Sequence, residues 1–372
     1  MFLKRGLAAA LAAVTVIGLA GCGGSDDAAE ADTATVKKGF VEKKVEPVNF
    51  DSGVDLTSDC YHFIYALGNA PATIDAAKFF KMRLEQESKG TLSCDIYTDN
   101  VLGSERELLE GCQFGNYDIV LATNATVASF ENDIFCLDIP WLFDNKQQVY
   151  EVLDGPLGDR LADGLEESGF KLLQWQENGF RTLSTNKPIN DMSDLKGVKI
   201  RIMENELQLQ QWKDYGANPT PMAFTELFTA LQQKTVDAQD NGAELTWQTK
   251  FYEVQSHYTY TKHIYSPYLI LMSKDKFDGL TPEQQEIVLK VSDEAVAYER
   301  QRCDEYEQTA LDNIKNCGTM QYSDLTPEVK AEMVKACKNI KELAYKKVTD
   351  PSVVDLLYDE VAKAKEKFPE EG

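Results

Sequence analysis

From about Tyr61 onward, segments with the two-residue period of strands alternate with segments of helical period, and this pattern limits the chain to an α/β fold. Leu92–Tyr97 alternates as a strand does, whereas residues 74–86 place apolar side chains at helical spacing. Ser104 and Glu107 form a capping box that begins a helix. Parallel sheets bind small ligands beyond the carboxyl ends of their strands, which predicts a site near residues 68–70 and 122–124.

A second group of strand and helix signals follows residue 172. Strand patterns occupy 172–176, 180–184 and 198–203, helical patterns occupy 206–215 and 224–233, and residues 216–219 read as a helix stop. The apolar run at 268–273 predicts a strand that returns to the first group of elements, which would form one lobe of the protein. Thr281-Pro282-Glu283 then begins a helical pattern that runs to about Asn316, roughly 50 Å at about 1.5 Å per residue, which is long enough to span two lobes.

The first residues have the features of an export signal. Lys4 and Arg5 precede an apolar run at 7–20 that is too short to span a membrane, and Leu19-Ala20-Gly21-Cys22 resembles the lipobox of bacterial lipoproteins. We therefore expect a signal peptide at 1–21, lipidation of Cys22, and a flexible tether over 22–57, where aromatic residues are scarce. The expected location is extracytoplasmic, with a lipid anchor in a bacterial membrane.

The formal charge of −23 argues against binding to nucleic acid or to anionic lipid headgroups. It also means that any bound anion needs a local positive site. No Cys-x-x-Cys pair and no histidine spacing typical of zinc occurs, so no metal or cofactor is expected. Disulfides and free buried thiols both remain open for the cysteines that follow Cys22: Cys60, Cys94, Cys112, Cys136, Cys303, Cys317 and Cys337.

Arg201 stands in the middle of a strand pattern in which Val198, Ile200 and Ile202 form the apolar face. A guanidinium held on a strand beside a cleft is costly unless an anion meets it. A solvated charge on an edge strand is the alternative. The pattern favours a carboxylate-binding residue.

Ordered motifs along the chain resemble those of the DctP-type solute-binding proteins of TRAP (tripartite ATP-independent periplasmic) transporters, over roughly residues 60–345. The motifs are Leu102-Gly103-Ser104-Glu105-Arg106-Glu107-Leu108-Leu109-Glu110, Glu177-Asn178-Gly179-Phe180-Arg181, Asp194-Leu195-Lys196-Gly197-Val198-Lys199-Ile200-Arg201, Gly216-Ala217-Asn218-Pro219-Thr220-Pro221-Met222-Ala223-Phe224, Ala230-Leu231-Gln232-Gln233, Val236-Asp237-Ala238-Gln239-Asp240-Asn241 and Lys250-Phe251-Tyr252-Glu253-Val254-Gln255.

The resemblance implies a two-lobed clamshell, each lobe a mainly parallel sheet flanked by helices, that closes on an organic acid. The first lobe would hold 58–178 and 267–306, and the second 179–266 and 307–372. Gly179-Phe180 and Ser266-Pro267 are then the hinge candidates. Arg201 matches the family arginine that pairs with the substrate carboxylate, because a guanidinium fork fits a carboxylate with two parallel hydrogen bonds.

Further positions match the family's binding residues, each with a structural alternative. Arg181 matches a second arginine near the carboxylate, or pairs with an acid such as Glu177. Asn241 and Asn69 match cleft amides, or serve in turns. Phe224 packs on the ligand, or on the core. Glu204 accepts hydrogen bonds from ligand hydroxyls, or begins a helix; Trp175 and Trp247 could wall the cleft, or belong to the core.

The resemblance predicts an extracytoplasmic binding protein that delivers a carboxylate to a small and a large TRAP membrane subunit. A hydroxylated sugar acid is the expected ligand, with dicarboxylates and keto acids open. A receptor or an ATP-driven importer is the alternative class. An enzyme is disfavoured, because Glu105, Glu107 and Glu110 fit a solvated helix and no hydrolase or phosphate-loop motif occurs.

Overall fold

The computed structural model describes residues 36–370. The predicted signal peptide, the lipidation at Cys22 and the first part of the predicted tether lie outside the described residues. Among residues 36–370, no helix combines the length and the apolar character needed to cross a membrane.

The strands are β1 Tyr61–Ala66, β2 Leu92–Tyr97, β3 Ile119–Thr123, β4 Phe170–Gln176, β5 Phe180–Thr185, β6 Lys199–Ile202, β7 Asn218–Pro221, β8 Ala238–Asn241, β9 His257–Tyr265, β10 Tyr268–Ser273 and β11 Gln321–Asp324. The helices are α1 Pro71–Glu87, α2 Glu105–Gln113, α3 Asn124–Val127, α4 Lys146–Leu153, α5 Pro156–Glu167, α6 Glu206–Asp214, α7 Phe224–Gln232, α8 Ala243–Gln248, α9 Lys274–Asp278, α10 Pro282–Asn316, α11 Pro327–Ala336, α12 Ile340–Lys347 and α13 Ser352–Lys367. Short 3₁₀ turns occupy Asn132–Asp138, Met192–Leu195 and Phe251–Glu253.

The strands form two sheets, with the orders β2-β1-β3-β10-β4 and β11-β9-β5-β8-β6-β7. The parallel pairing predicted from the sequence holds for β1 with β2 and β3, and for β6 with β7 and β8. Strand β10 is inserted antiparallel between β3 and β4, and β5 is antiparallel to β8 and β9. Both sheets are therefore mixed, and β10 returns to the first sheet as expected.

The local signals at helix ends are confirmed. Ser104 and Glu107 make both hydrogen bonds of the capping box of α2, and α10 runs from Pro282 to Asn316 behind a second capping box. Helix α6 ends at Asp214, just before the predicted stop at 216–219, but the strand that follows was not predicted: Asn218–Pro221 is the edge strand β7. Prolines lack an N–H and are tolerated in that position, because the outer side of an edge strand needs no donor.

The long helix α10 packs against elements of both sheets, namely α1 and β4 on one side and α8 and β11 on the other. The chain crosses between the sheets at Gly179 and at Ser266-Pro267, and the Ser266 amide donates to the Gly179 carbonyl at 3.1 Å. Gly179 has a φ of +82°, which a side chain would strain. The hinge motion at these crossings stays a prediction.

Residues 37–57, which we call the N-terminal strap, contain no helix or strand but lie against the body of the protein. The Lys37 amide donates to the Cys317 carbonyl at 2.8 Å, and the Thr57 amide donates to the Gly90 carbonyl at 3.0 Å. The strap falls within the stretch predicted as a flexible tether, yet it makes defined contacts along its length.

No disulfide bond links the cysteines within the described part of the chain. All seven cysteines from Cys60 to Cys337 are free thiols, and all except Cys60 are buried. Burial raises the pKa of the Cys94 and Cys303 thiols far above the ordinary value, so these groups stay protonated and unreactive.

Candidate functional site

A cavity lies between the two sheets, at the carboxyl ends of strands where the sequence predicts it. Its empty volume, counting the mouth that opens to solvent, is about 640 Å³. The structure places every predicted binding residue on its wall: Asn69, Arg181, Arg201, Glu204, Phe224 and Asn241. Residues far apart in the sequence thus converge on one space.

Arg201 is held in the cavity wall by strand β6, whose neighbours β7 and β8 pair with it at Thr220 and Gln239. The side chain is 3% exposed. Its Nε donates to the Met222 carbonyl at 2.9 Å, and its guanidinium lies 6.0 Å from the Phe224 ring centroid. Within residues 36–370 the guanidinium makes no ion pair and no other hydrogen bond.

The environment of Arg201 disfavours its charge. Burial lowers the pKa of Arg201 to about 10, and the charge of Arg181 acts in the same direction. The group is still protonated near neutral pH, so the cavity presents a cation whose two terminal nitrogens lack an anionic partner among the described residues. A carboxylate from a ligand would supply that partner.

Arg181 occupies a different electrostatic setting. Its Nε and one terminal nitrogen donate to the two carboxylate oxygens of Asp240, at 3.0 and 2.9 Å. His263 Nε2 lies 3.0 Å from the same carboxylate. Burial acts to raise the pKa of Asp240, but the Arg181 charge and the contact with His263 hold it below its ordinary value. The charge of Arg181 is therefore already balanced inside the protein.

The alternative left open for Arg181, an ion pair with a nearby acid such as Glu177, holds in kind, but the acid is Asp240 on β8 and not Glu177. Glu177 instead pairs with Lys146 at 2.6 Å and accepts a hydrogen bond from the Tyr150 hydroxyl. Lys146 also contacts Asp304 and Glu307, at 2.8 and 2.7 Å. These three acids form the one cluster in the described chain with the spacing of metal ligands, and the ammonium of Lys146 already bridges them.

Asn241 ends strand β8 and is not a turn residue. Its Oδ1 accepts from an Arg181 terminal nitrogen at 3.2 Å, and its Nδ2 donates to Gln239 Oε1 at 2.6 Å. Both sides of the amide are thus oriented by buried partners. Because Arg181 holds this amide, Arg181 affects the cavity through Asn241 as well as directly.

Sequence reasoning overlooked Glu105 as a cavity residue and considered it only as a surface acid beside Glu107 and Glu110. Its Oε2 accepts from the amide and hydroxyl of Thr123, at 3.1 and 2.6 Å, and from the Thr126 hydroxyl at 2.7 Å. Oε1 has no partner among the described residues, so it can accept a hydrogen bond from a ligand. Its position in the first turn of α2, beside the end of β3, is the signal that could have revealed it.

The remaining candidates divide by location. Phe224 begins α7 and lines the cavity together with Arg201, and the exposed Glu204 follows β6 at the wall. Trp175 and Trp247 do not wall the cavity: Trp175 lies in the core, and Trp247 faces the N-terminal strap. The described lining contains no histidine and no cysteine.

Two carboxyl groups that do not line the cavity, those of the buried Glu299 and the half-buried Glu244, predict how stability depends on pH. Burial, reinforced by neighbouring acids, raises the pKa of Glu244 and of Glu299 to about 8. Between about pH 4.5 and 8 the folded state keeps these protons while the unfolded state releases them. The free energy of unfolding therefore falls as pH rises through this window, by at most about 1.4 kcal/mol per pH unit for each group.

Replacing Glu299 by glutamine removes one of these titrations without changing the side-chain shape. We expect Glu299→Gln to gain stability relative to the natural chain at pH 8.5 and to show little gain at pH 4.5, as measured by urea unfolding at both values. Glu286→Gln on the exposed face of the same helix is the matched control and should show no such difference. An equal effect of Glu299→Gln at both pH values would contradict the assignment.

Comparison with known proteins supports one family. The family model described as "Bacterial extracellular solute-binding protein, family 7" (DctP) matches residues 65–347. The chain is similar to the 2,3-diketo-L-gulonate-binding periplasmic protein YiaO of Escherichia coli, with 34% identity over 271 residues, which cover 73% of this chain and 83% of YiaO.

Solved structures agree with this similarity. The sugar-acid-binding protein DctPAm of Advenella mimigardefordensis, in complex with galactonate, superposes with a TM-score of 0.80 at 30% identity, over 83% of this chain and 100% of that chain. A TRAP periplasmic solute-binding protein of Xanthobacter autotrophicus with bound β-D-galacturonate gives a TM-score of 0.76 at 28% identity, over 80% of this chain and 99% of the other.

Proposed function

We propose, because this chain belongs to the DctP family of bacterial extracellular solute-binding proteins, that its cavity captures a sugar acid with one carboxylate and several hydroxyl groups. The chain is an extracytoplasmic solute-binding protein of the TRAP type, with the two-lobed fold of its relatives.

The observation that carries the proposal is the unpaired guanidinium of Arg201. A buried cation with a single hydrogen bond from Nε leaves two terminal nitrogens for a planar anion, and a carboxylate matches their geometry. Arg181 does not offer the same opportunity, because Asp240 already occupies two of its donors. One carboxylate is therefore the expected number.

The acids of the cavity wall favour hydroxyl groups over a second carboxylate. Glu105 and Glu204 both line the cavity, and carboxylates accept hydrogen bonds from hydroxyls while repelling another anion. Asn241 adds an amide that is oriented by Arg181 and Gln239. The ligands of similar proteins, galactonate, galacturonate and 2,3-diketo-L-gulonate, are sugar acids with a single carboxylate.

The remaining parts of the proposal follow from the family. The loaded protein would deliver its ligand to a small and a large TRAP membrane subunit, and Cys22 would carry a lipid that keeps it at the membrane. We assign 58–178 with 267–306 to one lobe and 179–266 with 307–372 to the other, and we assign the protein no enzymatic role. Closure of the lobes would bury the ligand and favour the closed state.

A matched set of three ligands tests the proposal: galactonate, the neutral galactitol and the diacid galactarate, which differ only in their end groups. Because a ligand that binds only the folded state stabilises it by mass action, a concentration 1,000-fold above Kd adds about 4 kcal/mol and raises the melting temperature by several degrees. We expect thermal stabilisation by galactonate, little by galactarate and none by galactitol.

Other results of this ligand comparison would contradict the proposal in specific ways. Stabilisation by galactarate above galactonate would favour the dicarboxylate alternative, and stabilisation by galactitol without the acids would refute the role of Arg201. Because galactonate is one sugar acid among many, galacturonate, glucuronate and 2,3-diketo-L-gulonate are added as further monocarboxylates.

A further inference from the structure

The N-terminal strap follows the long helix α10 backwards, from its end toward its middle. The Lys43 amide and carbonyl exchange hydrogen bonds with the Asn313 side chain, both at 2.9 Å. Further on, Arg302 donates to the Glu46 carbonyl at 3.0 Å, and the Phe50 ring meets the Tyr298 ring edge-on at 5.9 Å. The strap is thus a docked segment, although its composition is that of a linker.

The strap also contacts α8, through Trp247. The indole N–H of Trp247 donates to Glu42 Oε1 at 3.0 Å, and the Phe40 ring packs edge-on against the Trp247 ring at 5.9 Å. Tyr252 stacks on the other part of the indole at 4.3 Å. Trp247 is therefore held between the strap and the turn that follows α8.

Helix α8 connects this contact to the ligand cavity. Asn241 directly precedes Gly242, the N-cap of α8, and Leu245 is the third of the six residues in this helix; both Asn241 and Leu245 line the cavity. Trp247, two residues beyond Leu245, points to the strap. The two ends of this short helix thus face the ligand space and the strap respectively.

A six-residue helix does not fix its own position. Isolated helices of this length are unstable in water, so α8 depends on tertiary contacts. One such contact is Glu244, whose Oε1 accepts from the Ala72 amide at 2.8 Å, at the start of α1, where Ala70 provides no side-chain cap. Ala243 and Trp247 also pack in one apolar cluster with residues of α10. The contact of Trp247 with Glu42 is the second polar contact made by the side chains of this helix among residues 36–370.

We propose that Glu42 and Trp247 are positioning residues for ligand binding, through which the N-terminal strap holds α8 in the place where Asn241 and Leu245 line the cavity. The predicted effect on ligand binding rests on the proposed function, whereas the contact between Glu42 and Trp247 does not depend on it. Loss of the contact leaves α8 more mobile, so binding must then order it at a cost in affinity.

The test uses the full chain with single substitutions. Glu42→Ala removes the acceptor and Trp247→Phe removes the donor while keeping an aromatic ring. A hydrogen bond of this kind contributes about 1 kcal/mol, so we expect each change to raise the Kd for the sugar acid about threefold to tenfold. Glu42→Gln, which keeps an acceptor oxygen, should bind as the natural chain does.

The double substitution separates a shared contact from two independent effects. If Glu42 and Trp247 act through one hydrogen bond, Glu42→Ala with Trp247→Phe raises Kd no further than either change alone. Lys43→Ala is the matched control, because its side chain pairs with Asp312 on α10 and its backbone keeps the bonds to Asn313. Calorimetric titration well below the melting temperature measures Kd apart from any loss of stability.

A second readout needs no ligand. The amides of Thr246 and Thr249 bond to the carbonyls of Gly242 and Leu245 within α8, and their hydrogen exchange in the free protein should be severalfold faster in Glu42→Ala than in Lys43→Ala. Unchanged exchange, unchanged Kd in Glu42→Ala, or an equal loss of affinity in Lys43→Ala would overturn the inference. If no organic acid binds the natural chain, the proposed function fails, while the exchange measurement still decides the role of the strap.

Discussion

Replacing Arg201 by alanine is expected to weaken sugar-acid binding by about 100-fold or more. The substitution leaves a carboxylate in a buried cavity without its planar donor, and truncating one partner of a buried charge pair typically costs about 2–5 kcal/mol. Arg201→Lys restores the charge without the fork, so it should recover part of the affinity only. Calorimetric titration with the best ligand of the panel measures both.

For the stability of the unliganded protein, we expect Arg201→Ala to cause no such loss. Since Arg201 is a buried cation with one hydrogen bond and a lowered pKa, its removal should leave the unliganded protein at least as stable as the natural chain. Lys199→Ala, two residues earlier on β6 with an exposed side chain, is the matched control and should leave Kd unchanged. A large loss of stability with unchanged Kd in Arg201→Ala would show a structural role instead.

Replacing Asp240 by alanine is expected to produce the largest loss of stability, about 3–5 kcal/mol. Arg181 and Asp240 are each 1% exposed, and removing one partner of such a pair leaves an uncompensated buried charge. His263 loses one of its two side-chain partners as well and keeps only the Thr261 hydroxyl. Urea unfolding measures the change, and the free Arg181 should in addition disturb the Asn241 amide and so weaken ligand binding.

Asp237→Ala provides a matched control for that prediction. Asp237 stands three residues earlier and pairs with Lys199 at 3.5 Å, but both side chains are more than 40% exposed. Exposed pairs contribute about 0–1 kcal/mol, so this variant should lose far less stability. Similar losses in the two variants would mean that burial of the Arg181 pair is not what makes it important.

Local sequence signals predicted the elements well where they are self-contained. The capping box at Ser104, the start of α10 at Pro282 and the bounds of β2 are each set by a few neighbouring residues. Strand β7 was missed, because its prolines indicate a break unless the strand is known to lie at an edge. Which strands lie at edges is a property of the whole sheet.

In the candidate site too, local motifs were informative, whereas a contact set by the pairing of distant strands was missed. The positions of the cavity residues were predicted from motifs, and the structure brings them together. Asp240 was not predicted as the partner of Arg181. The two residues come within reach because the antiparallel pairing of β5 with β8 places Thr182 opposite Asn241. Sequence distance favoured Glu177, which the fold directs to Lys146 instead.

The contacts of the N-terminal strap were not predicted, for a physical reason. Composition predicts whether a segment can form a core of its own, and this segment cannot. It does not need one, because Phe40 and Phe50 dock on aromatic residues that α8 and α10 supply. Two aromatic side chains in a polar stretch are a weak signal without knowledge of the receiving surface.

Strand β10 lies between β3 and β4, although β3 ends at Thr123 and β10 begins only at Tyr268. A ribosome must therefore add residue 273 before the gap in the first sheet can close. Until then two facing strand edges stay open, and the nascent chain has no complete sheet to settle into.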